Sequence, residues 1–247
     1  MALAMHDGLD RPPVKATGTA VRIAGVSHSF DKGDHKKPVL SHVDLTLKHG
    51  ELVILTGPSG AGKTTLLTLV GTLRKLQAGS IEVLGTELLG LSARRQRQIR
   101  RRIGFIFQDH NLFDALTVFQ TLKLASELAD RRPGRSEMLD RAVEILSALG
   151  MEEYLHRRPG QLSTGQKQRV AIARALINQP KLILADEPTA SLDLKASNAV
   201  IDLIKQRIKG QQASALMVTH DHRIFSVADR VVHMIDGQIA GQSFGFP

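Results

Sequence analysis

Cysteine and tryptophan are absent from this 247-residue chain, and one tyrosine and eight phenylalanines are its only other aromatic residues of the Phe/Trp/Tyr class. Without cysteine there are no disulfides, no thiolate-bound zinc and no Cys nucleophile. Redox chemistry therefore sets no constraint on compartment. So few rings argue against a platform that stacks single-stranded bases. Long apolar runs are also missing. The longest uncharged stretches, such as residues 52–62, reach about half of the roughly 20 residues a bilayer-spanning helix needs. Residues 1–16 carry Asp7 and Asp10 and no apolar centre, so they do not read as a secretory signal. These absences predict a soluble chain whose membrane part, if one exists, lies on another subunit.

With 42% hydrophobic and 23% charged residues, the composition is that of a globular protein. At roughly 150 residues per domain, the length allows one large domain or two small ones, with enough chain to bury a core. Lys and Arg number 33 against 24 Asp and Glu, a formal charge of +9. Nucleic acid, an anionic membrane surface or a phosphorylated ligand could each answer that excess. Charge alone does not choose among them.

Residues 1–20 are poor in large apolar side chains and read as a flexible lead-in. Val21–Ile23 and Val26–His28 alternate weakly, as an edge strand does, and Asp31–Pro38 reads as a polar turn. Val43–Leu47 alternates strictly, predicting a half-buried strand. Leu52–Thr56, Leu182–Ala185 and Ala215–Thr219 are short continuous apolar runs, as in parallel strands covered on both faces. From Thr117 to about Gln179 the period is helical, with Leu122, Ala125, Leu128 and Ala129 on one stripe and Val143, Leu146 and Leu149 on another. The expected fold is α/β, with parallel strands and a helical insert. No internal repeat or low-complexity tract interrupts it.

Gly57-Pro58-Ser59-Gly60-Ala61-Gly62-Lys63-Thr64 follows one of these apolar strands and precedes a helical run, Thr65–Leu73. This is the phosphate-binding pattern in its required strand–loop–helix frame. Glycines let successive N–H groups converge on an anion, and the helix N-terminus adds its dipole. Lys63 would reach the β- and γ-phosphates of a nucleoside triphosphate, and the Thr64 hydroxyl would ligate Mg²⁺. A second apolar strand ends in Asp186-Glu187. Asp186 would hold Mg²⁺ through its coordinated water, and Glu187 would polarise the attacking water.

Downstream, Leu162-Ser163-Thr164-Gly165-Gln166 runs into Lys167–Leu176. It closely resembles the signature sequence of ATP-binding cassette (ABC) ATPases, with Thr164 where glycine is usual. Ser163 and the Gly165 amide at a helix start would form a second anion cradle. The resemblance extends from Val21 to Ile239 and implies a single cassette over 21–247, a P-loop NTPase core with a parallel or mixed sheet and an antiparallel N-terminal β portion. Its core would be 21–108 and 181–247, with a helical subdomain at about 109–180. It further implies roles for individual residues. Gln108 would sense Mg²⁺ and the γ-phosphate, and His220 would be the switch histidine. Asp193, in Ser191-Leu192-Asp193, would belong to a loop at a dimer interface. Phe30 would stack on the adenine. Thr65 and Gln166 complete the expected ATP contacts, and Mg²⁺ arrives with ATP. The implied assembly is a head-to-tail pair of cassettes, each ATP lying between one phosphate loop and the opposite signature sequence. That pair would sit on the cytoplasmic face of a membrane, peripheral through a separate permease.

The segment 103–116, with Gln-Asp-His-Asn-Leu-Phe-Asp-Ala-Leu after Phe107, resembles ATPases of the lipoprotein-release, macrolide-export and heterocyst-glycolipid-export group (LolD, MacB and DevA types), most nearly the DevA type. Gly71-Thr72-Leu73 and Leu84-Gly85 agree with that. The group implies export of a lipid, lipoprotein, glycolipid or drug-like substrate, often with a membrane-fusion protein and an outer-membrane channel. A DNA-repair or chromosome cassette would be split by a coiled coil, and a translation factor would carry two cassettes. Neither feature is present, so nucleic acid is not an expected target. A regulatory cassette of the cell-division type and an importer ATPase remain as alternatives. The run Arg94, Arg95, Arg97, Arg100, Arg101, Arg102 reads first as a solvated helix face, and second as a contact for anionic headgroups or a permease. The ten histidines are scattered, with no helical pair at metal-binding spacing.

Overall fold

A computed structural model describes residues 18–32, 35–129, 132–211 and 213–244. The chain opens with a long hairpin, β1 (Thr19–Lys32) and β2 (His35–Lys48), followed by β3 (Leu52–Thr56) and α1 (Lys63–Val70). Next come β4 (Ala78–Val83), β5 (Thr86–Glu87), α2 (Ala93–Arg100) and β6 (Ile103–Ile106). Helices α3 (Val118–Glu127), α4 (Arg135–Ala148) and α5 (Thr164–Leu176) precede β7 (Leu182–Asp186). The remaining elements are α6 (Leu194–Gln211), β8 (Ser214–Val218), β9 (Arg230–Ile235) and β10 (Gln238–Phe244). This is the expected α/β arrangement. One four-stranded sheet is antiparallel in the order β2-β1-β4-β5. The second has six strands in the order β10-β9-β3-β8-β7-β6, parallel except for the edge strand β10.

Every residue of β3, β7 and β8 is buried. Both faces of this sheet are covered, which explains why these strands read as apolar runs without alternation. On one face Leu55, Leu184, Leu216 and Val232 pack with α1 and the antiparallel sheet. On the other, Ile54, Ile183 and Met217 join Leu122 of α3, Leu146 of α4 and Ile172 of α5 in one apolar cluster. Residues 107–181 connect β6 to its direct parallel neighbour β7, and no strand occurs among their described residues.

The N-terminal expectations need correction. Thr19 and Ala20 belong to β1 and Ala20 is fully buried, so only residues 1–17 of the supposed lead-in lie outside the described residues. The β1 strand is interior, paired with β2 on one side and β4 on the other. Its alternation looked weak because Gly25 adopts φ +58° and the β2 register shifts between Ile23 and Val26, the signature of a bulge. Much of the supposed turn at 31–38 is ladder, with Phe30 opposite Lys37 and Lys32 opposite His35. Two stripe assignments also fail. Leu128 and Val143 are exposed, and the buried stripes instead use Thr121, Leu122 and Ser126, then Met138, Ala142, Ile145, Leu146 and Leu149. A period of 3.6 allows adjacent stripe choices, and packing of the three helices decides between them.

Leu146 sits at the junction of the helical cluster and the sheet, whereas Leu139 on the same helix is 43% exposed. Leu146→Ala should therefore cost about 2–5 kcal/mol of stability and Leu139→Ala less than about 0.5 kcal/mol. Urea unfolding of the two variants checks this.

Candidate functional site

The phosphate loop is shaped by contacts at its two ends. A Cβ on Gly57 would stand 1.9 Å from the Met234 carbonyl oxygen, and one on Gly62 would stand 2.6 Å from Leu40 Cδ2. Gly62 also adopts φ +96° as it starts α1, a conformation that favours glycine. The β9–β10 turn buttresses the loop, because the Gly237 N–H donates to the Ala61 carbonyl at 3.2 Å. Helix α1 begins without an acidic residue or a side-chain cap, leaving its N–H groups and dipole for an anion. Lys63 curls back so that its Nζ donates to the carbonyls of Gly57 at 2.6 Å and Pro58 at 2.8 Å.

Parallel strand order brings the remaining groups to the same edge. Thr64 faces the opening, and its hydroxyl hydrogen-bonds the Asp186 carboxyl at the end of β7. Burial raises the Asp186 pKa above the usual carboxylate range, against the opposing pull of Thr64 and Lys63. Glu187 follows with φ +48°, fixed by its N–H donating to the Val218 carbonyl at 2.9 Å. A non-glycine residue in that region costs on the order of 1–3 kcal/mol and persists where its surroundings hold it. Its Oε1 lies 3.6 Å from His220 Nε2, just beyond β8. Burial raises the Glu187 pKa as well, with His220 opposing. Burial lowers the Lys63 pKa, and Glu187 and Asp186 counter it.

Together with Gln108 and Phe30, these residues line a cavity of about 990 Å³. Pro58, Ser59, Gly60, Ala61, Gly62 and Thr65 contribute its phosphate-loop wall, and Gly57 supports it through its carbonyl. Other predicted positions lie elsewhere. Ser163 caps α5: its hydroxyl accepts from the Gln166 N–H at 3.2 Å, and the Gln166 side-chain oxygen accepts from the Ser163 N–H at 2.8 Å. A Cβ on Gly165 would stand 3.0 Å from the Ser191 carbonyl oxygen, so the start of α5 packs close to the 191–192 loop. Asp193 accepts from the Ala196 N–H at 2.8 Å at the start of α6. None of these four residues lines the cavity of its own chain.

Two residues near Phe30 escaped the sequence reading. The Arg74 guanidinium lies 4.7 Å from the Phe30 ring centroid, and His28 meets the same ring edge-on at 5.1 Å. Gln77 grips the preceding residue, accepting from the Ser29 N–H at 2.8 Å and donating to its carbonyl at 2.9 Å. The segment leaving α1 thus fixes the aromatic ring of β1. No local pattern announces a cation–π contact between residues so far apart in sequence.

A family profile described as ABC transporter matches residues 40–190. The chain belongs to the ATP-binding cassette transporter family. It binds and hydrolyses ATP, as these cassettes do. The cassette is 42% identical over 220 residues to HrtA of Staphylococcus aureus strain bovine RF122 / ET3-1, an ATP-binding protein whose name ties it to hemin import; the match covers 89% of this chain and 99% of that one. The dimeric ATP-binding cassette MJ0796, in a post-hydrolysis state with ADP and Pi, superposes with a TM-score of 0.87 at 33% identity, covering 92% of this chain and 99% of that one. An ATP-binding subunit of an ABC transporter superposes at 0.81 with 26% identity, over 92% and 90% of the two chains.

If the cassette receives the base on the face of Phe30 opposite Arg74, Arg74→Ala loses only the support of the ring, a cation–π contact of about 0.5–1 kcal/mol. KM for ATP should then rise about two- to fivefold with kcat unchanged, as steady-state phosphate release would read.

Proposed function

We propose that this cassette is the ATP-hydrolysing subunit of a transporter whose permease is a separate chain, and that two copies pack head to tail around two ATP molecules. The observation that carries the reading is the convergence of Lys63, Asp186, Glu187, Gln108 and His220 on one cavity, while Ser163, Gly165, Gln166 and Asp193 lie outside it. A second copy supplies what one chain lacks: its α5 N-terminus and its 191–193 loop would close the open side of the site. The dimeric form of the similar MJ0796 cassette supports this. Core residues 21–108 and 181–247 would form the catalytic body, and the helical subdomain at about 109–180 would meet the permease. Among the described residues no helix is long and apolar enough to cross a membrane, so attachment at the cytoplasmic face would go through that permease.

In the proposed site, Lys63 and the N–H groups of 59–65 hold the β- and γ-phosphates, and Phe30 stacks on the adenine. Thr64, Gln108 and Asp186 present a hydroxyl, an amide oxygen and a carboxylate, an all-oxygen set that fits Mg²⁺ shared with phosphates. Bound there, Mg²⁺ would neutralise phosphate charge as it develops. Glu187 takes a proton from the attacking water, and His220 orients the γ-phosphate while countering the Glu187 charge. The burial that raises the Glu187 pKa makes it a stronger base than an exposed glutamate.

For cargo, the likeness of 103–116 to the LolD, MacB and DevA types supports export of a lipid, lipoprotein, glycolipid or drug-like molecule, with a fusion protein and outer-membrane channel as further partners. A second reading, import, is favoured by the similarity to HrtA, named for hemin. Hemin accumulation in cells expressing the cassette with its permease separates them: a rise dependent on Glu187 supports import, a fall supports export.

Glu187→Gln should lower the hydrolysis rate by about 10²–10⁴-fold and retain ATP in a dimer visible by size-exclusion chromatography. Wild-type turnover in that variant removes Glu187 from the mechanism. The wild-type rate should fall as pH drops through the raised Glu187 pKa, at a higher pH than an ordinary glutamate would give. Stability of the nucleotide-free fold runs the opposite way. A carboxyl whose pKa is raised by folding favours the folded state at low pH and loses that contribution as pH climbs through the raised value. Glu187→Gln should therefore raise the neutral-pH unfolding midpoint of the nucleotide-free chain.

A further inference from the structure

Helix α2 carries more positive charge than its own stability requires: Arg97 and Arg100 in its last turn suit the helix dipole, but the arginines at its start do not. Ile99 is its one buried residue, and its first turn holds Arg94 and Arg95 with no acid. Cations there oppose the helix dipole. Arg94 and Arg97, like Arg97 and Arg100, are also spaced for mutual repulsion. Four arginines elsewhere are paired with acids: Arg141 with Glu137, Arg207 with Glu144, Arg223 with Asp221 and Arg230 with Glu51, at 2.6, 3.0, 2.7 and 3.1 Å. Arg169 and Arg174 bond backbone carbonyls. Among the described residues, Arg94, Arg95, Arg97, Arg100 and Arg102 form no such ion pair with an acid. The acid nearest before the helix, Glu87, already accepts from the Ser80 hydroxyl and from the N–H groups of Ile81 and Leu89.

The helix spacing gathers part of this charge. Arg94 and Gln98 fall on one face, with Arg95 beside them and Arg102 just past the helix C-terminus. With Ser92 and Thr86 they line an open cavity of about 670 Å³, with Ile99 as its apolar wall and no carboxylate among its lining residues. Three guanidinium forks, an amide and two hydroxyls make a donor-rich surface, and the guanidinium plane matches phosphate oxygens bidentately. The remaining arginines continue the charge around the exposed arc of the helix. That breadth suits a surface bearing many phosphates better than a single carboxylate.

We propose that the α2 cleft is a second anion site, separate from the ATP cavity, and that it takes the phosphate headgroups of anionic membrane phospholipids. The choice of lipid over a soluble phosphate rests on the transporter reading, which keeps this chain beside a bilayer. In that position α2 holds the cassette to the membrane surface alongside its permease.

The test is sedimentation of the full chain, without nucleotide or permease, with vesicles of phosphatidylcholine alone or mixed with phosphatidylglycerol. The chain should sediment with the mixed vesicles only, and less so as salt rises. R94Q/R95Q/R102Q should lose about tenfold or more of that binding, with ATP hydrolysis unchanged. K48Q/K195Q/K209Q, which removes the same charge from other surfaces, should keep it. Equal loss in both variants, or none in the first, overturns the site. Displacement from mixed vesicles by millimolar inorganic phosphate, at constant ionic strength, overturns the lipid as occupant in favour of a free anion. Because binding is read without ATP, failure of the ATPase reading would show separately, as a wild-type chain that sediments but does not hydrolyse.

Discussion

The ammonium of Lys63 is the group on which this structure turns. It belongs to a residue only 7% exposed and is held by two backbone carbonyls of its own loop. A buried cation needs compensating partners. The carbonyls supply dipoles and Asp186 and Glu187 supply charge through space, yet burial still lowers its pKa. The two acids are strained the other way, each held less acidic than it would be in water. On its own the protein thus gathers these charges in an unfavourable setting, which the phosphates of ATP relieve. Binding energy is available because folding has left it unspent.

Sheet topology delivers those charges. Strands β3, β7, β8 and β6 run parallel, so the loops leaving them emerge along one edge, as ligands require in open α/β sheets. The phosphate loop, the acid pair, His220 and Gln108 come from those four exits. Phe30 comes from the antiparallel sheet, and the Ser41 N–H bond to the Gly237 carbonyl at 2.9 Å ties that sheet to the β9–β10 turn under the loop. One hydrogen-bonded seam therefore sets the distance between the ring and the phosphate cradle.

Much of this was legible in the sequence because the decisive features are local. Lys63 and its glycines lie in one octapeptide, and the buried strands announce themselves by unbroken apolar runs. Glu187 is legible as the second acid ending an apolar run and His220 by order and resemblance, although their 3.6 Å approach depends on β7 and β8 being neighbours. What stayed hidden was non-local. The bulge at Gly25 masked the alternation of β1, and the choice of buried stripe on α3 and α4 was made by the helices they meet. Arg74 reaches Phe30 from the loop between α1 and β4. Ser163 and Gln166 had a local signature with two meanings, and in a single chain the capping-box meaning is the one realised.

The position of β3 has a consequence for how the protein is made. Its two hydrogen-bonding neighbours are β8 and β9, both contributed by residues 214–235. A chain emerging from the ribosome exposes the phosphate-loop strand early and gives it no ladder until residues 214–235 are translated. The apolar Leu52–Thr56 segment must wait, uncovered on two edges, through the synthesis of the entire helical insert. Such late, distant pairing slows folding and leaves the nascent chain open to aggregation. A ribosome that stops before residue 214 would release a chain with every phosphate-loop residue present and no neighbouring strand to hold β3.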